Sequence, residues 1–98
     1  MIVHWTETAI QHLTAIYHYI AQDAPLYAQR VADKLIRRTE QLAVFPQSGR
    51  RVSEYQETDI RELIEPPYRL IYRLKADQID VLAVIHGAQQ LPEKPIDL

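Results

Sequence analysis

The alternation of apolar and polar positions in the second half of the chain predicts three consecutive strands, residues 61–65, 68–75 and 78–86. In residues 68–75, tyrosine and leucine alternate with arginine, isoleucine and lysine, and a period of two places each set on one face of a strand. Pro66 and Pro67 separate the first two strands, because proline supplies no backbone N–H to a sheet. Residues 78–86 are apolar on both faces, with the odd-numbered positions expected on one face, which favours a central strand.

A helical spacing of apolar residues predicts two helices before these strands. Thr6 is placed to cap the first helix, whose apolar residues recur at intervals of three and four as far as Gln22. The second helix follows Asp23-Ala24-Pro25, where aspartate is a good cap and proline suits a first turn. So short a link predicts an antiparallel helical hairpin. Residues 2–5 form a further short strand candidate.

The predicted order is strand, helix, helix, strand, strand, strand. It indicates an α+β fold of one domain, residues 1–98, in which the helical hairpin packs on one face of a small, mainly antiparallel sheet. The other face of the sheet carries Arg69 and Arg73 and is expected to stay open.

Two segments lie outside these elements. Residues 47–60 form a polar connection that is longer than most in compact domains, so we expect it to be functional or ordered by a partner. Gly49 within it is predicted to be a turn residue with unusual backbone dihedral angles. Residues 89–98 contain two prolines and are predicted to form an extended tail.

Composition and charge narrow the classes of function. The 98 residues include no cysteine, which excludes a disulfide scaffold and a thiolate metal site. The sequence shows no signal peptide and no membrane span, so we expect a cytoplasmic protein without a membrane partner. With 11 basic and 13 acidic side chains, the net charge is −2, and nucleic-acid binding would need a local basic patch. The histidines lack metal-ligand spacing, and we expect no metal and no cofactor.

Five short motifs follow one another over nearly the whole chain: Tyr19-Ile20-Ala21, Leu42-x-x-Phe45-Pro46-x-x-Gly49-Arg50, Arg61-Glu62-Leu63, Tyr68-Arg69-Leu70-Ile71-Tyr72-Arg73 and Val84-Ile85-His86-Gly87-Ala88. In this order and spacing they resemble the RelE/ParE superfamily of toxins from type II toxin–antitoxin systems. The last two motifs most resemble the ParE branch. The resemblance implies a RelE/ParE-like fold, a role in plasmid stabilization, and a cognate antitoxin whose extended segment wraps the toxin.

The resemblance also implies two mechanisms of toxicity. ParE-like toxins are associated with the poisoning of DNA gyrase, whereas RelE-like toxins cleave mRNA on the ribosome, and one fold serves both. We expect a non-enzymatic gyrase inhibitor, with a ribosome-dependent endoribonuclease as the alternative. A second alternative is a degenerate, non-toxic member that still binds its antitoxin, because many relatives carry arginine where this chain has Gln89.

Cleavage of RNA by its own 2′-hydroxyl needs a base, cations for the phosphate and an acid. The candidates are Glu65 as base, Arg61, Arg69 and Arg73 as phosphate-binding cations, and His86 or Tyr72 as acid. For partner binding the candidates are Arg50, Arg61, Tyr68, Arg69 and Arg73. Two interpretations stay open. Arginines on an uncovered face repel one another unless an anionic partner meets them, but glutamates on neighbouring strands could pair with them. His86 could equally be a hydrogen-bonded structural residue at the end of its strand.

Overall fold

The computed structural model describes residues 1–57 and 59–93 of the chain. Two helices pack on a small sheet, as the sequence predicts, but the sheet has five strands instead of the predicted four, because Arg50–Arg51 adds a short strand within the connection. The elements are β1 (Ile2–Trp5), α1 (Glu7–Ala21), α2 (Pro25–Glu40), a short 3-10 turn (Gln41–Ala43), β2 (Arg50–Arg51), β3 (Ile60–Glu65), β4 (Tyr68–Leu74) and β5 (Gln78–His86). Residues 94–98, half of the predicted tail, lie outside the described residues.

The residues at the start of each helix explain where that helix begins. The hydroxyl of Thr6 accepts a hydrogen bond from the N–H of Ala9 at 3.1 Å, which confirms the predicted cap of α1. This bond satisfies one of the N–H groups that a first helical turn leaves unpaired. Helix α2 begins with Pro25, and its cap residue is Ala24 instead of the predicted Asp23, with no side-chain hydrogen bond. Proline at the first position accounts for the start, because the missing N–H would have been unpaired there.

The strands lie in the order β1-β5-β4-β3-β2. Strand β1 runs parallel to β5, and every other neighbouring pair is antiparallel, so the sheet is mainly antiparallel as predicted. The chain between these two parallel strands contains both helices and the other three strands, and so supplies the long crossover that a parallel pair requires. Strand β5 is buried along most of its length, which confirms its prediction as a central strand.

A bulge interrupts the alternation in β5. Ile71 of β4 pairs with Ala83, whereas the next residue, Tyr72, pairs with Val81, so Leu82 is the extra residue. Leu82 and Ala83 both pack into the apolar cluster on the face away from the helices. The odd-numbered positions of β5 therefore do not share one face, and the strict alternation predicted from the sequence is wrong.

The sheet face that carries Arg69 and Arg73 is covered, contrary to the sequence expectation of an open face. Val52 and Tyr55, from the long connection, are buried against it, and Leu91 packs at its edge. The sheet residues beneath them are Ile60, Ile71, Leu82, Ala83 and Ile85. The connection looks polar as a whole, but its two apolar side chains supply a second, smaller core, because buried apolar area stabilises the fold wherever it forms.

The first core lies between the helices and the sheet and includes Leu35, Leu70 and Tyr72. Gly49 holds the connection against this core by a close approach of the backbone. Its φ is not positive, so the predicted unusual dihedral angles are wrong. A Cβ at Gly49 would lie 2.6 Å from the carbonyl oxygen of Glu62 and 2.6 Å from the hydroxyl oxygen of Tyr72. The Gly49 N–H donates to the Tyr72 hydroxyl at 3.0 Å, and that hydroxyl donates to the Pro46 carbonyl at 2.9 Å. Only a residue without a side chain fits this arrangement.

We expect Gly49→Ala to lower the free energy of unfolding by about 2 kcal/mol, because the methyl group forces the connection away from Tyr72. Urea unfolding followed by circular dichroism measures the change. Gly87→Ala is the matched control at the chain's other glycine, where a Cβ would meet only the Pro67 carbonyl oxygen, at 3.3 Å. Equal losses in the two variants would contradict the close-approach explanation.

Candidate partner-binding site

Most of the residues singled out by the sequence lie near the end of the sheet where β3 turns into β4 and β5 ends. Tyr68 opens β4 directly after the two prolines and stands between Glu65 of β3 and His86 of β5 in the register of the sheet. Three surface clefts meet at Tyr68, one toward α2, one over the outer face and one along β5. Tyr68 is therefore the central residue of the candidate site.

The first cleft, of about 250 Å³, lies between α2 and the turn that joins β3 to β4. Its walls are mostly apolar or aromatic, and Arg30 and Lys34 contribute the cations; the remaining lining residues are Tyr27, Val31, Leu35, Glu65, Pro66, Pro67 and Tyr68. The carboxylate of Glu65 pairs with Lys34 at 3.2 Å and with Arg38 at 3.5 Å. The predicted base of an RNA-cleaving site is therefore already engaged in ion pairs with two side chains of α2.

The second cleft lies over the outer face, beside four side chains that we call the outer-face network: Arg50, Glu54, Glu62 and Arg69. Glu62 is 2% exposed, and its two oxygens meet Arg69 Nε at 2.6 Å and Arg50 Nε at 3.0 Å. Both terminal nitrogens of Arg69 also donate to Glu54, at 2.9 and 3.0 Å. The guanidinium of Arg69 is thereby engaged on all three nitrogens and ties the connection to the sheet.

The network shifts the pKa of both Glu54 and Arg69. The hydrogen bonds from Arg69 lower the pKa of Glu54 from 4.5 to about 2. The hydrogen bonds that Arg69 donates to Glu54, and then the one to Glu62, raise the pKa of Arg69. A carboxylate whose pKa is lower in the folded state than in the unfolded state stabilises the fold above the unfolded value.

We expect the contribution of Glu54 to stability to be complete above pH 4.5 and to disappear as the pH falls toward 2, because protonation removes its pairing with Arg69. Denaturant midpoints measured between pH 6 and 2 (a range around the cited pKa values) test this. Glu54→Gln is the control, since an amide does not titrate. If the two proteins lost stability in parallel over this range, Glu54 would have no part in the acid dependence.

The three arginines predicted to act together do not share one surface. Arg73 pairs with Asp59 at 2.7 Å on the outer face. Arg61 stands opposite Tyr72 in the register of β3 and β4, and Tyr72 belongs to the core beneath the helices. Arg61 donates to the Gly49 carbonyl at 2.9 Å, and its buried Nε has no hydrogen-bond partner among the described residues. Arg61 thus supports the turn of the connection, whereas Arg69 and Arg73 lie on the other side of the sheet.

The two candidate acids are also held in place. The Tyr72 hydroxyl is fully buried between Gly49 and Pro46, and burial raises its pKa. His86 packs edge-to-face on Tyr68, with ring centroids 6.0 Å apart, and its Nδ1 accepts a hydrogen bond from the N–H of Ala88 at 3.2 Å. The hydrogen-bonded structural interpretation of His86 therefore has direct support.

The third cleft, of about 380 Å³, runs along the end of β5, and its lining includes His12, Ala15, Ile16, Ile85, Gln89 and Pro92. The backbone N–H of Val84 donates to His12 Nδ1 at 3.2 Å, and that of His86 donates to Gln89 Oε1 at 2.7 Å. Burial lowers the pKa of His12, which favours the neutral imidazole that can accept this bond. Sequence reasoning missed both roles, although a histidine next to the apolar stripe of α1 was a usable signal for His12.

A cluster of metal-ligating side chains and a membrane-spanning helix are both absent from the described residues. Within residues 1–57 and 59–93, no three histidine, aspartate or glutamate side chains come close enough together to hold a metal ion. In the same part of the chain, neither helix has the length and apolar character needed to cross a membrane. What the site does offer is a set of apolar and aromatic clefts around Tyr68, beside cations of which Lys34, Arg50 and Arg69 are already paired with carboxylates.

The sequence comparisons with known proteins agree with one another. Residues 3–91 match the family described as ParE toxin of type II toxin–antitoxin system, parDE. The chain is 36% identical to the toxin RelE2 of Caulobacter vibrioides over 87% of this chain and 93% of that protein. It is 33% identical to the protein Y4kP of Sinorhizobium fredii, over 93% of each chain.

A solved structure gives the same result for the fold. A chain of the chromosomal ParDE toxin–antitoxin system from P. aeruginosa superposes with a TM-score of 0.72 at 27% identity. The match covers 88% of this chain and 95% of that chain. The hairpin of helices on a five-stranded mixed sheet is thus the fold of a ParE/RelE-like toxin.

Proposed function

Because the chain belongs to the ParE toxin family of type II toxin–antitoxin systems, we propose that it inhibits DNA gyrase by binding to it, and that a cognate antitoxin neutralises it. The superposition on a ParDE system supports an antitoxin as protein partner. The proposed place of action is the cytoplasm, where gyrase works on DNA, and a plasmid-borne pair of this kind would serve plasmid stabilization.

One observation carries the choice of binding over RNA cleavage: Arg69 and Arg73, two of the three cations that a nuclease would need, are neutralised within the chain. Arg69 is 12% exposed and engages Glu54 and Glu62 with all its nitrogens. Arg73 engages Asp59. Phosphate contacts supply much of the affinity of a protein for nucleic acid, and a phosphate here would first have to displace carboxylates, one of them buried.

The positions of the candidate residues for RNA cleavage also argue against a nuclease. Glu65 and Arg61 both lie on the side of the helices, and Glu65 is already paired with Lys34 and Arg38. Arg69 and Arg73 lie across the sheet from them. Since an RNA-cleaving site must bring base, acid and cations to one scissile phosphate, this separation argues against the endoribonuclease alternative.

The clefts around Tyr68 supply the support for an antitoxin partner. Apolar floors with a polar rim are the surfaces on which an amphipathic helix or an extended segment of a partner docks. The rim of the first cleft carries Lys34, which is paired with Glu65, and Arg30, whose cation favours a segment with an acidic residue beside its apolar ones. An antitoxin segment that follows these clefts would contact the toxin over a wide surface.

Purified toxin added to gyrase and relaxed plasmid tests the proposal. We expect loss of supercoiling and the accumulation of linear, cleaved DNA, with both effects reversed when the toxin is first saturated with its antitoxin. An in vitro translation reaction with the same toxin runs beside the gyrase reaction as a control. It should yield full-length mRNA and normal protein product.

Two other results would overturn the proposal. Truncated mRNA with unaffected gyrase would make the protein an endoribonuclease and would require the paired arginines to open on the ribosome. Normal growth of cells that express the chain without antitoxin, together with inactivity in both reactions and retained binding of the antitoxin, would identify a non-toxic member of the family.

A further inference from the structure

Positive charge is concentrated on three elements of the fold, α2, β2 and β3. They hold seven of the chain's 11 basic side chains but only four of its 13 acidic side chains. The basic residues are Arg30, Lys34, Arg37, Arg38, Arg50, Arg51 and Arg61, and the acidic ones are Asp33, Glu40, Glu62 and Glu65. These elements therefore carry a net charge of +3, although that of the whole chain is −2. Such a local basic patch is what nucleic-acid binding by this chain would need.

The three elements form one continuous surface, which we call the basic edge. Strand β2 is the outermost strand of the sheet on this side and pairs with β3. Helix α2 is joined to the same strand by the ion pairs of Glu65 with Lys34 and Arg38. The basic edge therefore runs from α2 across β3 to the end of the sheet at β2.

Part of this charge is not neutralised within the molecule. Arg30, Arg37 and Arg51 are exposed and pair with no carboxylate within residues 1–57 and 59–93. Arg51 meets only a backbone carbonyl, that of Gln56, at 3.4 Å. Like charges on one surface repel one another, so an anionic partner that meets several of them at once is favoured.

We infer that the basic edge binds the sugar–phosphate backbone of the DNA duplex that gyrase holds, so that the chain contacts the enzyme and its DNA together. The partner rests on the function proposed above. Phosphate oxygens match the fork of donors that a guanidinium presents. A duplex carries one negative charge for about every 1.7 Å of its length, which suits a row of cations rather than a single one.

The spacing of the free arginines on α2 fits such a backbone. Arg30 and Arg37 are seven residues apart, so they lie on the same side of the helix and about 10.5 Å apart along its axis. Phosphates of one strand that are three nucleotides apart are separated by about 10 Å along the duplex. Helix α2 can therefore lie beside one strand with both guanidiniums on phosphates.

Contacts with DNA also give binding alone a way to trap a cleaved intermediate. A ligand shifts its partner toward one state only as far as it binds that state more tightly. Contacts with the duplex exist only while gyrase holds DNA, so they favour the DNA-bound enzyme over the free enzyme. Two or three phosphate contacts on a chain of net charge −2 are too few for tight binding to free DNA, which directs the chain to the complex.

Arg37→Gln combined with Arg51→Gln tests the DNA contact. Neither side chain is paired with a carboxylate or lines a cleft around Tyr68. The variant should bind gyrase assembled on an immobilised DNA fragment about tenfold more weakly than the unaltered chain. Each lost phosphate contact should also reduce the slope of log affinity against log salt by about 0.9, or about 1.8 for the two. Biolayer interferometry at several salt concentrations measures both quantities.

Two controls separate the DNA contact from other effects of charge. Gln11→Glu combined with Gln90→Glu makes the same change in net charge at exposed positions outside the basic edge, and should leave affinity and slope unchanged. On gyrase without DNA, the arginine variant and the unaltered chain should bind equally. Circular dichroism and affinity for the antitoxin, both expected to be unchanged, verify that the variants fold.

Three results would overturn the DNA contact and leave the proposed function standing. They are unchanged affinity of the arginine variant, equal losses in the arginine and glutamine variants, and an equal loss on gyrase without DNA. The last of these would assign the basic edge to an acidic surface of the enzyme. If the unaltered chain produced no cleaved DNA with gyrase, both the DNA contact and the proposed function would be overturned.

Discussion

Arg69→Met should lower the free energy of unfolding by about 3 kcal/mol, a large fraction of the stability of a small domain. The reason is the burial of its partner: Glu62 is 2% exposed and would keep only the bond to Arg50, whose side chain is 70% exposed. Removal of one member of a buried ion pair leaves a charge that neither water nor protein stabilises. The same change releases Glu54 and with it the connection that covers the outer face.

Chemical denaturation of three variants measures this effect against its controls. Arg73→Met removes a more exposed pair on the same strand and face, and should cost less than about 1 kcal/mol. Glu62→Leu combined with Arg69→Met should recover most of the loss, because an apolar side chain needs no counter-charge in a buried position. If Arg69→Met and Arg73→Met destabilised equally, the burial of Glu62 would not be the cause.

Tyr68→Ala should raise the dissociation constant for the antitoxin by about 30-fold or more. Tyr68 lines all three clefts of the candidate site and packs against both the first core and the ring of His86. Large aromatic side chains at the centre of an interface carry much of its binding energy, since their burial excludes water from the contacts around them.

Two further variants separate a loss of contact from a loss of fold. Tyr68→Leu keeps apolar bulk against the core and should bind with intermediate affinity. Tyr19→Ala removes a tyrosine that is 77% exposed and lines none of the three clefts around Tyr68, and should change affinity less than about threefold. A comparable loss of binding in Tyr19→Ala and Tyr68→Ala would move the interface away from the end of β4.

The sequence predicted the elements well because their signals are local. The hydroxyl of Thr6, the proline at position 25 and the spacing of apolar residues specify where the helices begin and which face they bury. The paired prolines at 66 and 67 separate β3 from β4 in the structure as in the sequence. The missing part was the connection of residues 47–60, where the buried side chains of Val52 and Tyr55 lie among polar residues with no period to reveal them.

The sequence predicted where the candidate site lies, but not which face or partner each side chain has. Arg61, Arg69 and Arg73 are indeed close in the sheet, but the register of β3 against β4 sets Arg61 beneath the helices. A shift of one residue in register exchanges the two faces, and no local pattern fixes that shift. Gln89 illustrates the same limit. The sequence shows only that arginine is absent from this position, whereas in the structure the Gln89 side chain accepts a hydrogen bond from the His86 N–H at the end of β5.

The amino-acid sequence by itself determined the helices, most of the strands and the membership in a toxin family, because periodicity, caps and ordered motifs act over a few residues at a time. Tertiary structure alone decided which carboxylates Arg69 and Arg73 meet, that the second face of the sheet is covered, and that His12 and Gln89 accept hydrogen bonds from the end of β5. These features join residues far apart in the chain, such as Val84 with His12, and so depend on how the packed elements meet in space.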